Sequence, residues 1–186
     1  MNDTELLTYI IKLRLTEKNK AYGWVLSDLE TLKEMAKKLA EKLPAEAAIP
    51  DQLYLQTTAI HILIVSQFEY LLKSLGKIRN QYGIKNIIEH SNILTRLEKD
   101  HLIYLFLTRH TLAHGGGHFD EKFFEDARRN IKELKLEIPT DSNYLTTIHP
   151  AELIRYINLI KKVILLDIAG NALSGEEKKI IEESLK

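Results

Sequence analysis

The sequence contains no cysteine, no long apolar run and no net charge, and each absence excludes a class of protein. Without cysteine there is no disulfide, thiolate nucleophile or cysteine-based zinc site, which is typical of a reducing compartment. The longest apolar runs, at residues 60–65 and 102–107, are too short to span a bilayer, and the first five residues are acidic rather than basic. We therefore expect a cytoplasmic protein without a membrane anchor.

The 26 basic and 26 acidic side chains cancel, so the chain has no broad positive field that would collect nucleic acid through counterion release. Any RNA or DNA must therefore bind through a local site. Of the 186 residues, 45% are hydrophobic and 28% are charged, which is enough apolar surface for one core. We predict a single domain over residues 1–186.

Apolar residues recur at spacings of three and four through most of the chain, which indicates amphipathic helices. The N-terminal series predicts two helices, broken near Tyr22 and Gly23; its members are Leu6, Ile10, Leu13, Leu26, Leu29, Leu32, Met35, Leu39 and Leu43. After Pro50, the pattern predicts a long helix over residues 51–82 that stops at Tyr82–Gly83, and a short one from Ile84 to His90.

Helix-capping signals organise the second half of the chain. Thr95 and Glu98 match a capping box for a helix that runs to His114, where three glycines end it. Further helices are expected over residues 119–136, from Pro150 onward, and after Ser174, with a loop over residues 138–149. With no strand alternation in the sequence, we predict an all-α bundle of roughly six to eight helices.

The segment from Leu102 to His114 carries the residues most suited to chemistry. Its first eleven positions are apolar on almost every face, and Arg109, His110 and His114 interrupt that character. Burying a guanidinium or an imidazole is costly unless it finds a partner or solvent. Arginine and histidine together suit RNA cleavage without a metal, because an imidazole can take the proton of a ribose 2′-hydroxyl while a guanidinium stabilises the phosphorane.

The spacing within this segment limits how the residues can meet. His114 lies four positions after His110, which places both on one side of a helix, whereas it lies five positions after Arg109, which corresponds to about 140° of rotation. A long arginine reaching around a frayed last turn can close that gap. A two-fold dimer in which each subunit completes the other's pocket is the alternative.

The arginine, the polar residue after it and the histidine five positions on resemble the R-x(4–6)-H signature of the HEPN superfamily. The layout is similar too, since a long apolar helix containing Ser66, Phe68 and Glu69 precedes the motif helix. The resemblance covers about residues 51–170. It implies a HEPN-like core at residues 49–186 and an N-terminal helical extension at residues 1–48.

Many HEPN proteins are homodimeric, metal-independent endoribonucleases that act as toxins or in antiviral defence. For this chain the resemblance implies RNA cleavage by Arg109, His114 and His110, with Glu69 and Ser66 as supporting residues. It also implies a homodimer with the site at the two-fold interface, an antitoxin or regulatory partner, and no cofactor. The alternative is a non-catalytic helical module that binds nucleotides, RNA or proteins.

Three alternative interpretations compete with this site. Arg96 and His101 also match the motif, but the residues between them are charged and predict an exposed turn. Arg109 can instead be a core arginine paired with a carboxylate such as Glu69, with His114 as a helix cap. His110, His114 and His118 form an H-x3-H-x3-H series that can hold a metal, although the glycines interrupt the helix before His118.

Overall fold

The computed structural model describes residues 3–43, 49, 51–79, 82–114, 121–135 and 148–185. In these ranges the chain forms helices and no strand, which confirms the predicted all-α bundle. The eight α-helices are α1 (Asp3–Lys18), α2 (Lys20–Ala40), α3 (Asp51–Ser74), α4 (Tyr82–His90), α5 (Arg96–His114), α6 (Glu121–Asn130), α7 (Pro150–Lys162) and α8 (Gly175–Ser184). A search of the same ranges finds no helix that is long and apolar enough to cross a membrane.

Helix α2 lies at the middle of the bundle and packs against α1, α3 and α7. Helix α5 packs against α3, α4, α6 and α7, and α8 closes the bundle against α1. Several apolar side chains of these helices are completely enclosed: Leu29, Ile64, Phe68, Leu71, Leu102, Leu105, Leu153 and Ile160. The N-terminal half of α5 is therefore central to the core, as the sequence predicts.

The break between the first two helices lies at Asn19, three residues before the predicted position. Asn19 has an extended backbone, and its side chain caps α2 by accepting the N–H of Ala21 at 2.9 Å. Gly23 has a different role from the predicted one, because a Cβ atom there would lie 2.5 Å from Oγ1 of Thr16. This glycine lets α1 and α2 approach closely and does not end a helix.

The apolar face of α1 that the sequence predicts to be buried is also wrong. Ile11 and Leu15 are buried against α2, whereas Leu6, Ile10 and Leu13 are exposed. Both sides of α1 carry apolar residues, so the periodicity alone does not determine which side packs. Helix α1 therefore presents an apolar face to solvent.

The long third helix ends at Ser74, eight residues before the predicted stop. Gly76 adopts a left-handed conformation with φ +65°, and the N–H of Lys77 donates to the carbonyl of Leu72 at 2.9 Å. This is a glycine C-cap of the Schellman type. The Tyr82–Gly83 pair begins α4 instead of ending α3.

The predicted capping boxes in the second half of the chain are confirmed, whereas the glycines predicted to end α5 lie outside the described residues. The N–H of Glu98 donates to Oγ1 of Thr95 at 3.2 Å, and the N–H of Thr95 donates to the Glu98 carboxylate at 2.8 Å. Ser174 and Glu177 form the same reciprocal pair before α8, and Pro150 is the first residue of α7. After Lys162 the chain continues as a wider π-helical turn over Val163–Ile168.

The helix predicted over residues 119–136 is shorter within the described residues, where it covers Glu121–Asn130. Hydrogen bonds made by the segment after Asn130 explain why this helix ends there. The buried carboxylate of Asp100 accepts the N–H groups of Lys132 (2.8 Å), Leu134 (3.0 Å) and Glu133, which holds the chain in a turn beside α5. Most of the predicted loop over residues 138–149 lies outside the described residues.

Candidate functional site

Arg109 lies in the C-terminal part of α5, where the helix reaches the edge of the hydrophobic core. The helix is anchored by the buried Leu102 and Leu105, and Thr108 and Thr111 are also buried. Arg109 lies between them in sequence and is half-buried, whereas His110 is exposed and makes an interaction of its own. The guanidinium is thus carried by a rigid element, with part of its side chain removed from solvent.

Arg109 has no carboxylate partner among the residues that the structure describes. Its Nε atom is buried without a hydrogen-bond partner. Glu69, the carboxylate that the sequence offered as a partner, forms an ion pair with Lys73 at 2.7 Å. Taking a guanidinium partly out of water without a counter-charge costs free energy, and an anion bound to it would offset part of that cost.

The two supporting residues make local contacts within α3. The hydroxyl of Ser66 donates to the carbonyl of Ile62 at 2.8 Å, one helical turn earlier. Glu69 pairs with Lys73, one turn later. Neither makes a hydrogen bond or ion pair with Arg109 among the described contacts.

A histidine that the sequence analysis missed lies beside the arginine. His61 of α3 is only 1% exposed, and its Nε2–H donates to the carbonyl of Leu105 at 2.9 Å. Burial lowers the pKa of His61 to about 4; the hydrogen bond to Leu105 opposes this shift, and the charge of Arg109 adds to it. The imidazole is therefore neutral at physiological pH and leaves the arginine's charge unbalanced. The signal was a single histidine within the apolar run at residues 60–65.

Arg96, the arginine of the competing motif match, differs from Arg109 because it has carboxylate partners. Arg96 forms ion pairs with Glu89 at 2.8 Å and Asp100 at 2.7 Å, and it donates to the carbonyl of Asn130 at 2.7 Å. Burial works to raise the pKa of Asp100, but three backbone N–H groups and Arg96 outweigh it and hold that pKa below its usual value. This arginine is neutralised and joins three elements of the fold.

The predicted exposed turn between Arg96 and His101 is wrong. These residues form the first turns of α5, where Asp100 and His101 are buried. Solvent exposure therefore does not distinguish the Arg96 motif match from the Arg109 motif match. What separates them is charge, because Arg96 has two carboxylate partners and Arg109 has none within the described residues.

His114 is the last residue of α5, and its side chain lies outside the described part of the structure. The glycines at 115–117, and His118, also lie outside it. The described residues contain no group of three or more histidine, aspartate or glutamate side chains that could hold a metal ion. The series of His110, His114 and His118 includes undescribed side chains, so this search does not test it.

Among the described residues, α5 thus carries a half-buried guanidinium without a carboxylate partner, and a neutral, buried imidazole is bonded to the same helix one turn earlier. Comparison of the chain with protein-family models, with curated proteins and with solved structures finds no match.

Proposed function

We propose that this protein is a metal-independent endoribonuclease of the HEPN type, acting in the cytoplasm in a toxin–antitoxin or antiviral defence context. The observation that supports RNA as the ligand is the charge of Arg109. A half-buried guanidinium without a described carboxylate partner favours an anion, and phosphate oxygens match its planar pair of donors.

In the proposed reaction, the ribose 2′-oxygen attacks the adjacent phosphorus. His114 takes the proton of the 2′-hydroxyl or delivers a proton to the departing 5′-oxygen. Arg109 stabilises the negative charge of the phosphorane, and His110 helps to position the phosphate. The bond from phosphorus to the 5′-oxygen breaks, so the products carry a 2′,3′-cyclic phosphate and a 5′-hydroxyl.

The test is incubation of purified protein with RNA in EDTA. We expect cleavage to cyclic phosphate ends, and resistance of a substrate with 2′-O-methyl ribose at the cut site. Since general acid–base catalysis contributes about 10² to 10⁴ in rate, His114→Ala should lose at least about 10². The matched control is His90→Ala, because His90 also ends a helix. Cleavage that survives His114→Ala undiminished, or that requires a divalent ion, would contradict the proposal.

Arg109→Lys provides a second arm of the same test. The ammonium group cannot make the two-point contact of a guanidinium to phosphate, so we expect cleavage to fail while the helical fold is retained. The control is Arg96→Lys, which should lower the melting temperature and leave the cleavage rate of the folded protein unchanged. An active Arg109→Lys variant would remove the arginine from the mechanism.

The second candidate is a non-catalytic module that binds RNA or nucleotides. The same feature supports it, because an unneutralised Arg109 attracts an anionic ligand whether or not cleavage follows. This candidate predicts that the protein binds RNA in an Arg109-dependent way but leaves it intact.

We further propose that the active form is a two-fold homodimer, with an antitoxin or regulatory protein as a further partner. An exposed apolar face on α3, the helix that packs against the arginine-bearing α5, supports this assembly. Leu55, Leu63 and Tyr70 lie on one side of α3 and are exposed. A two-fold axis through this face would pair the α3 helices of the two subunits.

A further inference from the structure

Three buried polar atoms at or beside the contact between α3 and α5 have no hydrogen-bond partner. They are Nδ1 of His61 and Oγ1 of Thr58, both on α3, and Nε of Arg109 on α5. Buried polar groups are nearly always paired, so each unpaired atom at this contact requires a physical explanation. His61 reaches α5 through its bond to Leu105; Thr58 lies one helical turn before His61 on α3, and Arg109 lies one turn after Leu105 on α5.

The donor and acceptor roles of these atoms are complementary. A carbonyl oxygen can only accept, so the contact at 2.9 Å with Leu105 places the ring proton of neutral His61 on Nε2. The lone pair is then on Nδ1, which is an acceptor. The Nε–H of Arg109 is a donor, and the Thr58 hydroxyl can act as either.

The position of the ring is fixed by its surroundings. His61 is 1% exposed, and besides its bond to Leu105 its Nε2 lies 3.4 Å from Oγ1 of Thr108. That hydroxyl itself donates to the carbonyl groups of Tyr104 and Leu105. The ring therefore has little freedom to turn, and its Nδ1 keeps one orientation relative to α5.

We propose that His61 is the positioning residue of Arg109: one buried water accepts the Nε–H of the guanidinium and donates to Nδ1 of His61, and this turns the two terminal nitrogens toward the RNA phosphate. One water can accept from Arg109 and donate to His61 and Thr58, which is the usual number of bonds for a buried water. This role rests on the proposed function, since it assigns the orientation of the arginine in the same reaction.

The neutrality of the imidazole is what makes the arrangement useful. A carboxylate at this position would also orient the guanidinium, but it would neutralise the charge that the phosphorane requires. A neutral acceptor orients the arginine without an ion pair. Arg96, held by Glu89 and Asp100, shows within the same helix what carboxylate partners do to an arginine of this motif.

Two substitutions of His61 test the roles of its two ring nitrogen atoms independently. In His61→Asn, the amide oxygen occupies the place of Nδ1, so the acceptor is kept and the donor to Leu105 is lost. In His61→Gln, the amide nitrogen reaches the place of Nε2, so the donor to Leu105 is kept and the acceptor is lost. Because asparagine is also the poorer helix former, His61→Gln should be the more stable variant.

We expect the order of activity to be the reverse of the order of stability. His61→Asn should cleave RNA faster than His61→Gln by about tenfold or more in kcat, because a small misplacement of a positioned group has effects of this size, with KM nearly unchanged. If His61 only holds α3 against α5, His61→Gln will be better in both stability and kcat. That result would overturn the proposal.

The Nε–H resonance of Arg109 gives a readout that does not depend on cleavage, and its loss in Arg109→Lys assigns it. A hydrogen bond to a fixed water should place this proton downfield and slow its exchange in the wild type and in His61→Asn, but not in His61→Gln. If this pattern appears in a protein that does not cleave RNA, the ribonuclease proposal fails and the positioning role stands. Identical resonances in all three proteins would overturn the positioning role.

Discussion

Two arginines of α5 have the same spacing to a histidine and opposite energetic roles. Arg96 joins α4, α5 and the end of α6 through Glu89, Asp100 and the carbonyl of Asn130. Arg109 has no carboxylate partner among the described residues. Removing the Arg96 side chain leaves the buried Asp100 without its counter-charge. Removing the Arg109 side chain instead eliminates a partly desolvated cation and its free-energy cost.

This contrast predicts different effects of alanine substitution on stability. Arg96→Ala should lower the free energy of unfolding by about 2 kcal/mol or more, because hydrogen bonds to a buried charge are lost. Arg109→Ala should change it by less than about 1 kcal/mol, since the lost packing of its methylene groups is offset by the removed desolvation cost. Urea unfolding of the two variants measures both values. Equal destabilisation would mean that Arg109 is a structural residue.

His61 should make the stability of the protein depend on pH. Its pKa is lowered to about 4 in the folded state, mainly by burial, so below about 6.5 the unfolded chain binds a proton that the folded chain does not. The contribution of the neutral ring is therefore complete above that pH and decreases as the pH falls toward 4. Between pH 7 and pH 5, the wild type should lose about 2 kcal/mol through this group.

The measurement is urea unfolding at the two pH values, with His61→Gln as the comparison, because glutamine does not titrate. Burial also lowers the pKa of His101, but both proteins contain it and its effect cancels in the difference. The pKa values of Glu98, Asp100 and Glu177 are lowered, so these carboxylates lose their stabilising effect only at more acidic pH. An equal loss of stability in both proteins would contradict the assignment.

At the scale of the helices, the packing of α1 on α2 depends on a glycine inside a helix. Alanine is intrinsically better than glycine there by about 1 kcal/mol, but its Cβ at position 23 would lie 2.5 Å from Oγ1 of Thr16. Thr16 is β-branched and stiff, and its hydroxyl is bonded to the carbonyl of Lys12 at 2.7 Å, so it cannot easily turn away. The steric cost should therefore exceed the gain in propensity.

We predict that Gly23→Ala destabilises the protein by about 1 to 2 kcal/mol, as overpacking does in well-packed contacts. Gly175→Ala is the control, because a Cβ at that position meets nothing within 4 Å. The double variant Thr16→Ala/Gly23→Ala should be more stable than additivity of the single variants predicts, which thermal unfolding can measure. Additive effects would show that the helices do not meet through these two residues.

At the scale of the whole molecule, α1 and α3 each present an exposed apolar face among the described residues. Leu63 of α3 and Ile10 of α1 are closely matched, with 45% and 48% of their surface exposed. Both can accept glutamate with little effect on folding, because substitutions at exposed positions usually change stability by no more than about 0.5 kcal/mol.

If the homodimer uses the face of α3, Leu63→Glu should convert it to a monomer in light scattering and abolish RNA cleavage at a shared site. Ile10→Glu should leave both unchanged. A wild-type monomer that cleaves RNA at micromolar concentration would show that each subunit holds a complete site. Loss of the dimer in Ile10→Glu alone would assign the interface to α1.

The sequence by itself determined the class of fold, the helix starts after Thr95 and Ser174, and the arginine to be tested. Local chemistry sufficed for these: the caps at Thr95 and Ser174 are set by residues three positions away, and the apolar run at residues 102–107 had to be buried somewhere. Such signals involve neighbours in sequence, so no knowledge of the tertiary fold is needed to read them.

Only the tertiary structure decided which apolar face of α1 packs, where α3 ends, and which polar groups meet across helices. His61 lies 48 residues before Arg109, and Asp100 holds backbone groups more than 30 residues away, so neither relation has a sequence period. Glu69 and Ser66 found partners within their own helix instead. The charge that remains unbalanced on Arg109 is therefore a property of the packed helices, because burial and neighbouring carboxylates together determine it.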